Sequence, residues 1–165
     1  MRIAAFNDAA RESAIATIQP CLDIPRWFMA IVDGRPFADL DAVLHRARHA
    51  AEPFTEAEID GALAHHPRIG ERAHGSGAEA RFSTAEQAGL GAASPAVEAA
   101  LRQGNHDYEN RFGRVFLIRA AGRDRAEILA ELGRRLRNDP AHETREVALQ
   151  LREIAVVRLQ ALFGV

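Results

Sequence analysis

Several polar residues have the types and spacing needed for acid-base chemistry, and the first is a histidine. His66 stands directly before Pro67, and a proline disfavours helical geometry for the residue that precedes it. Ile59, Leu63 and His66 recur at helical spacing, which puts the imidazole on an apolar helix face beside a loop. Such a histidine can be a general acid or base, but a core histidine bonded to a carbonyl would show the same pattern.

A second polar group lies in the stretch FSTAEQAGL. Ser83 and Glu86 have the S-x-x-E spacing of a capping box, which predicts a helix start at Ser83. Gln87 stands where an apolar residue would complete the hydrophobic staple. A hydroxyl, a carboxylate and an amide at a helix amino terminus also suit a polar or anionic ligand. Helix capping and ligand binding therefore both explain this group.

An arginine interrupts the apolar stripe of the last predicted helix. Leu151, Ile154, Arg158 and Leu162 follow one another by three or four residues. A guanidinium on such a stripe could pair with a structural carboxylate, reach outward along its stem, or bind the carboxylate of a substrate. The sequence does not separate these three roles.

Metal and nucleotide motifs are missing from the sequence. His65, His66 and His74 lack the spacing of ligands to one metal ion, and no H-E-x-x-H occurs. The stretch GSGAEA lacks the third glycine of a dinucleotide fingerprint, and neither a P-loop nor G-x-S-x-G is present. We therefore expect catalysis without a metal, a nucleotide or a serine nucleophile.

Helices must position these groups, because apolar residues recur at three and four positions along most of the chain. Thr55 with Glu58 and Asp124 with Glu127 form capping boxes, and Pro25 and Pro95 stand at first-turn positions. The one candidate strand, at 115–120, is too solitary to build a sheet and is interpreted as a buried extended segment. Helices are predicted over 7–19, 25–33, 40–51, 55–66, from 83, over 94–104, 105–112, 124–137 and 141–163.

Length, composition and net charge indicate the broad class of protein to which the chain belongs. A chain of 165 residues with 47% hydrophobic and 27% charged residues fits one domain, 1–165, in an all-α bundle of about eight helices. No apolar run reaches the length of a membrane span, and a net charge of −2 gives no reason to bind nucleic acid. Cys21 is the only cysteine, and neither a signal peptide nor an S-K-L ending occurs. We expect a cytoplasmic protein.

Four ordered motifs resemble those of the 2-oxo-4-hydroxy-4-carboxy-5-ureidoimidazoline (OHCU) decarboxylases. They are HPRIG at 66–70, FSTAEQAGL at 82–90, NHDYENRFGRVFLIRAAGR at 105–123 and EIAVVRL at 153–159, and the similarity extends to CLDIPRW and RLRNDPAHE. The resemblance implies an all-helical, homodimeric enzyme without a cofactor. It also implies the reaction, which converts OHCU to (S)-allantoin in urate degradation.

The same resemblance implies roles for individual residues. His66 would be the general acid/base, and Glu86 would hold the hydroxyl or ureido group of the substrate and favour the imidazolium form of the histidine. Arg158 would bind the substrate carboxylate, with Arg111 as the competing candidate. Arg114 stands where many members have an aromatic residue. The remaining substrate contacts would come from Pro67, Ser83, Gln87 and the backbone of Phe116, Leu117 and Ile118.

Two other functions stay open at the level of the sequence. A related helical lyase with a shifted substrate would keep the same motifs. A helical binding module without catalytic activity would explain the caps and apolar stripes, but it would leave an inward His66 and Arg158 without a purpose.

Overall fold

The computed structural model describes residues 1–64, 66–69, 77–88 and 90–164. These residues form helices and no strand, which confirms the predicted all-α class. His65 and His74, considered above as metal ligands, lie outside the described residues. In chain order the helices are α1 (Ile3–Asp8), α2 (Arg11–Ile18), α3 (Pro25–Val32), α4 (Leu40–His49), α5 (Glu56–Leu63), α6 (Ala78–Ala88), α7 (Pro95–Phe112), α8 (Arg125–Arg135) and α9 (Pro140–Phe163), with a 3₁₀ turn at Gln19–Cys21.

The chain divides into two compact units. Met1–Ala62 and Leu151–Val165 form the first, and Leu63–Gln150 forms the second. In the first unit Trp27 is fully buried and its indole N–H donates to the Ala47 carbonyl at 2.9 Å, while Phe6 packs edge-on against Phe163. The core of the second unit lies between α7 and α8 and includes Tyr108, Ile128 and Leu132.

The single helix predicted over 7–19 is wrong, because the chain breaks between α1 and α2 at Ala9 and Ala10. The guanidinium of Arg35 donates to the carbonyls of Phe6 and Ala9 at 2.7 Å each. The Asn7 side chain exchanges two hydrogen bonds with the backbone of Phe37. These distant side chains supply partners for backbone groups at the end of α1, so the helix can stop there.

The two predicted capping boxes at α5 and α8 are confirmed. Thr55 Oγ1 accepts from the Glu58 N–H at 3.2 Å, and the Glu58 carboxylate accepts from the Thr55 N–H at 2.8 Å. Asp124 and Glu127 exchange the equivalent bonds at 2.8 Å each. Pro25 begins α3 and Pro95 begins α7, as their first-turn positions predicted.

Gly104 does not end a helix, and the predicted start of a separate helix at Asn105 is also wrong. Helix α7 runs without interruption through both residues. A Cβ atom at position 104 would lie 2.5 Å from Leu132 Cδ2, so the glycine provides room for α8 to pack closely. Asn105 is buried and donates to the Ile69 carbonyl at 3.2 Å instead of capping a helix.

We expect Gly104→Ala to lower the free energy of unfolding by roughly 1–2 kcal/mol. Alanine has the higher helix propensity, but the energetic cost of the clash between its methyl group and Leu132 is larger than that gain. Gly133→Ala in α8 is the matched control, since a Cβ there meets nothing within 4 Å. That variant should be as stable as the parent or more stable. Chemical denaturation measures both, and equal effects of the two substitutions would contradict the packing role of Gly104.

A second prediction concerns the ion pair at the start of α5. Arg26 binds the Glu58 carboxylate with two hydrogen bonds, at 2.7 and 2.8 Å, and this contact lowers the pKa of Glu58 from 4.5 to about 2. A carboxyl whose pKa is lower in the folded state stabilises the fold above its unfolded pKa and loses that effect as it protonates. The stability of the protein should therefore fall as the pH drops from 4.5 to 2. The Glu58→Gln variant should lose less stability over the same pH range in equilibrium unfolding.

Candidate active site

The helix predicted over 55–66 ends earlier than expected, so His66 lies after the helix and not on its apolar face. Helix α5 ends at Leu63, and the His66 N–H donates to the Leu63 carbonyl at 3.0 Å. Ile59, Ala62 and Leu63 are buried, and His66 and Pro67 are half-buried. His66 therefore follows a buried helical stripe at the point where the backbone becomes a loop.

Side chains of α7 contact Arg68 and Ile69, which follow His66 and Pro67 in the chain. Asn105 donates to the Ile69 carbonyl, and Arg68 pairs with Glu109 through two hydrogen bonds, of which the Nη2–Oε2 bond is 2.9 Å. The hydrogen bonds from Arg68 lower the pKa of the Glu109 carboxyl, so the pair is charged near neutral pH. Two residues on the C-terminal side of His66, Arg68 and Ile69, are thus bound by side chains of α7.

The capping box predicted at Ser83 is wrong. Helix α6 begins at Ala78, so Ser83 lies in its second turn, where it is 3% exposed. The residues before it, 78–81, are alanine, glutamate and arginine, which are strong helix formers and extend the helix upstream. Capping therefore no longer explains the group. Ser83, Glu86 and Gln87 share one face of α6, because residues three and four apart are neighbours on a helix.

The segment predicted as extended is a buried stretch without helix or strand between α7 and α8. Phe116, Leu117 and Ile118 are at most 5% exposed. The Leu117 carbonyl accepts from Arg135 Nη1 at 2.7 Å, and the Arg119 N–H donates to Gln150 Oε1 at 2.8 Å. Side chains of α8 and α9 therefore satisfy two of its backbone groups in place of a neighbouring strand.

The arginine that supports this segment belongs to a buried ion pair that the sequence reasoning missed. Arg135 and Glu143 are both 1% exposed, and Arg135 Nε donates to Glu143 Oε1 at 2.8 Å. The Tyr108 hydroxyl donates to the same carboxylate, and Asn138 Nδ2 donates to its Oε2 at 2.8 Å. Burial and the neighbouring carboxylate raise the pKa of Tyr108, which keeps its hydroxyl protonated. The signals in the sequence were two motifs: RLRNDPAHE contains Arg135, Asn138 and Glu143, and the motif at 105–123 contains Tyr108.

The arginines considered for the substrate carboxylate have different surroundings. Arg158 is 2% exposed in the first unit, where its Nη1 lies 3.4 Å from the Pro20 carbonyl. Its inward position on the apolar stripe is confirmed. Arg111 is exposed, and its Nη2 donates to the Asn138 carbonyl at 3.0 Å. Arg114 is half-buried, with its Nη1 at 3.4 Å from Thr144 Oγ1.

Two negative findings hold for the part of the chain that the structure describes. It contains no group of three or more His, Cys, Asp or Glu side chains that could hold a metal ion. None of its helices is long and apolar enough to cross a membrane.

An all-helical chain with a half-buried histidine at a helix end, and with a serine, a glutamate and a glutamine on one helix face, has the groups of an acid-base enzyme. Comparison with known proteins defines the family. Residues 7–160 match the model of the OHCU decarboxylase family. The chain belongs to this family, the carboxy-lyases of urate degradation, which confirms the resemblance found in the sequence motifs.

Individual relatives agree with the family match. The 2-oxo-4-hydroxy-4-carboxy-5-ureidoimidazoline decarboxylase of Amia calva is 32% identical over 133 residues, which cover 79% of this chain and 76% of that protein. The enzyme of the same name from Mus musculus is 31% identical over 137 residues, covering 82% and 77%. A crystal structure of OHCU decarboxylase in the presence of (S)-allantoin superposes with a TM-score of 0.71 over 95% of this chain and 100% of that chain, at 23% identity.

The buried ion pair generates a stability prediction. Glu143→Ala leaves Arg135 buried without its carboxylate, which should cost about 3–5 kcal/mol of unfolding free energy. Glu131→Ala is the matched control, because this carboxylate also pairs with an arginine of α8 but both partners are at least one-third exposed. An exposed pair of this kind contributes about 0–1 kcal/mol. Similar losses for the two variants in chemical denaturation would contradict the central role of Glu143.

Proposed function

We propose that this chain decarboxylates OHCU and protonates the resulting intermediate on one face to give (S)-allantoin, without a cofactor. The observation that carries the proposal is the face of α6 formed by Ser83, Glu86 and Gln87. Helix capping does not account for this face, and the chain belongs to a family whose named relatives are OHCU decarboxylases.

The chemistry of the substrate defines what the protein must supply. One ring carbon of OHCU carries a carboxylate and a hydroxyl, and the next carries the ureido group and a C=N bond. When the bond to the carboxylate breaks, its electron pair forms a C=C bond between the two carbons, and the C=N pair moves to nitrogen, which takes up a proton. The ureido-bearing carbon then receives a proton while the hydroxyl becomes a carbonyl. The handedness of the product depends on which face receives that proton.

We assign the proton transfer to His66. Its backbone N–H donates to the Leu63 carbonyl, and Asn105 and Glu109 of α7 bind Ile69 and Arg68, the residues that follow Pro67. A fixed imidazole can deliver a proton from one direction, which a freely rotating group or water cannot do. Glu86 would hold the hydroxyl or ureido group of the substrate, and its negative charge would favour the imidazolium form of His66.

The remaining assignments concern binding. Ser83 and Gln87 would donate to and accept from the polar edges of the ring, Pro67 would form the wall beside His66, and the backbone of Phe116, Leu117 and Ile118 would contact the ring. Arg158 is the first candidate for the substrate carboxylate and Arg111 is the second. A guanidinium that bound the carboxylate too tightly would stabilise the ground state and slow its departure, so moderate binding suits the reaction.

The proposal extends to assembly and location. The family resemblance implies a homodimer, which light scattering on the purified protein tests directly. We propose the cytoplasm as the location, since Cys21 is a buried thiol and the sequence contains no second cysteine to pair with it.

His66→Ala should lower the enzymatic rate by at least 10²-fold, toward that of the spontaneous reaction, because the variant lacks the proton donor. The measurement is the decay of OHCU, generated in situ from urate, with far-ultraviolet circular dichroism to show that the variant is folded. His142→Ala is the matched control, since His142 is an exposed histidine of the same compact unit. A folded His66→Ala protein with wild-type turnover would refute the assignment, and a wild-type protein that leaves OHCU decay unchanged would indicate a shifted substrate.

A further inference from the structure

Two residues of α7 that lie one helical turn apart bind the chain just after His66. Asn105 Nδ2 donates to the Ile69 carbonyl at 3.2 Å, and the Glu109 carboxylate pairs with Arg68, with 2.9 Å between Oε2 and Nη2. Residues four apart share one face of a helix. A single face of α7 therefore binds the second and the third residue after the histidine that we assign to proton transfer.

The backbone of His66 is also bonded on its N-terminal side. Its N–H donates to the carbonyl of Leu63, the last residue of α5, at 3.0 Å. Pro67 follows, and the proline ring fixes the φ torsion of that residue. Ile69 is 7% exposed and belongs to the buried core of the second unit. The chain is thus bonded at His66 itself and again two and three residues later, with a restricted residue in between.

Stability alone does not explain an asparagine at position 105. The residue is 5% exposed, and its Oδ1 is buried without a hydrogen-bond partner among the residues that the structure describes. A buried acceptor without a donor costs free energy. The amide satisfies the Ile69 carbonyl but leaves its own oxygen unsatisfied, so the exchange brings little net stability. What Asn105 supplies is a fixed connection between α7 and Ile69.

We propose that Asn105 and Glu109 are positioning residues for His66. They hold the backbone next to the imidazole, so that the proton reaches the substrate from one face, and neither of them touches the substrate. The inference rests on the proposed function of His66. A misplacement of about 1 Å can lower a rate by on the order of 10²-fold. Substrate binding by the face of α6 does not involve these contacts, so their loss should lower kcat and the excess of (S)-allantoin while KM stays nearly constant.

Steady-state kinetics and the enantiomeric composition of allantoin test the proposal on the full chain. Asn105→Ala should lower kcat by roughly tenfold or more, with KM within about threefold of the wild type and a smaller excess of (S)-allantoin. The protein concentration is set so that the enzymatic rate far exceeds the spontaneous one. Gly104→Ala is the matched control, because its Cβ perturbs the neighbouring position of α7 by meeting Leu132 and not Ile69. It should retain both kcat and handedness.

Glu109 provides a second pair of variants at a more exposed position, where a failure to fold is not expected. Glu109→Ala removes the acceptor for Arg68 and should lower kcat by roughly threefold, since a partly exposed ion pair is weaker than a buried bond. Glu109→Gln keeps an oxygen that accepts from Arg68, so it should recover most of the loss. A role in overall stability alone would not produce this recovery in kcat at constant KM.

The ring NMR signals of the histidines give a readout that does not depend on the reaction. The His66 signal is assigned by its absence in His66→Ala. Asn105→Ala should shift or broaden it, while the signals of His45 and His49, in the other compact unit, stay in place. If the wild type leaves OHCU decay unchanged, the proposed function fails, and this spectrum still decides whether Asn105 positions His66.

Three results would overturn the proposal. The first is wild-type kcat and handedness in folded Asn105→Ala or in Glu109→Ala. The second is an equal loss of kcat and handedness in Gly104→Ala, which would mean that any perturbation of α7 has this effect. The third is an unchanged His66 ring signal in Asn105→Ala.

Discussion

The buried pair of Arg135 and Glu143 is the interaction on which the second compact unit depends most. Two charges that lie 1% exposed have lost their water, so every donor and acceptor around them must find a partner in the protein. Tyr108 from α7 and Asn138 from the turn before α9 bind the carboxylate. The guanidinium stands over the ring of Phe116 and donates to the Leu117 carbonyl. A single charged cluster therefore connects three helices with the non-helical segment.

This connection explains how a helical protein can contain a buried segment without secondary structure. Backbone N–H and C=O groups that leave water need partners, and a lone extended stretch has no neighbouring strand to provide them. Arg135 and Gln150 provide two of these bonds from side chains. In the same way, Asn105 provides a bond to Ile69 in the loop after His66. Polar side chains of the helices thus hold the parts of the proposed site that are not helical.

The sequence predicted the elements whose signals are local. The capping boxes of α5 and α8 depend on residues three apart, and both are present in the structure. The same pattern at Ser83 gave a wrong helix start, because the residues upstream of it also favour a helix and α6 starts earlier. The helix end predicted at Gly104 was also wrong, because this glycine makes room for Leu132, which is distant in the sequence. The break at Ala9 depends on a hydrogen bond from Arg35, and it could not be predicted because Arg35 is also distant in the sequence.

The same distinction between local signals and long-range contacts applies to the candidate site. His66, Glu86 and the other site residues could be listed from motifs, because a family resemblance records residue types in order. The hydrogen bonds that support these residues could not be predicted from motifs. Arg135 and Leu117 are eighteen positions apart in the sequence, and Asn105 and Ile69 are thirty-six positions apart. Residue types indicate the reaction, whereas long-range contacts determine whether the groups are held in place for it.

A site that holds its groups in place should give the product its handedness, and the enantiomeric composition of allantoin tests this most directly. OHCU is generated in situ from urate, and the circular dichroism of the allantoin formed is followed with the protein present or omitted. A rapid rise of the (S)-allantoin signal is expected with the protein, and a racemic product is expected without it. Racemic allantoin formed at the same rate in both samples would contradict it.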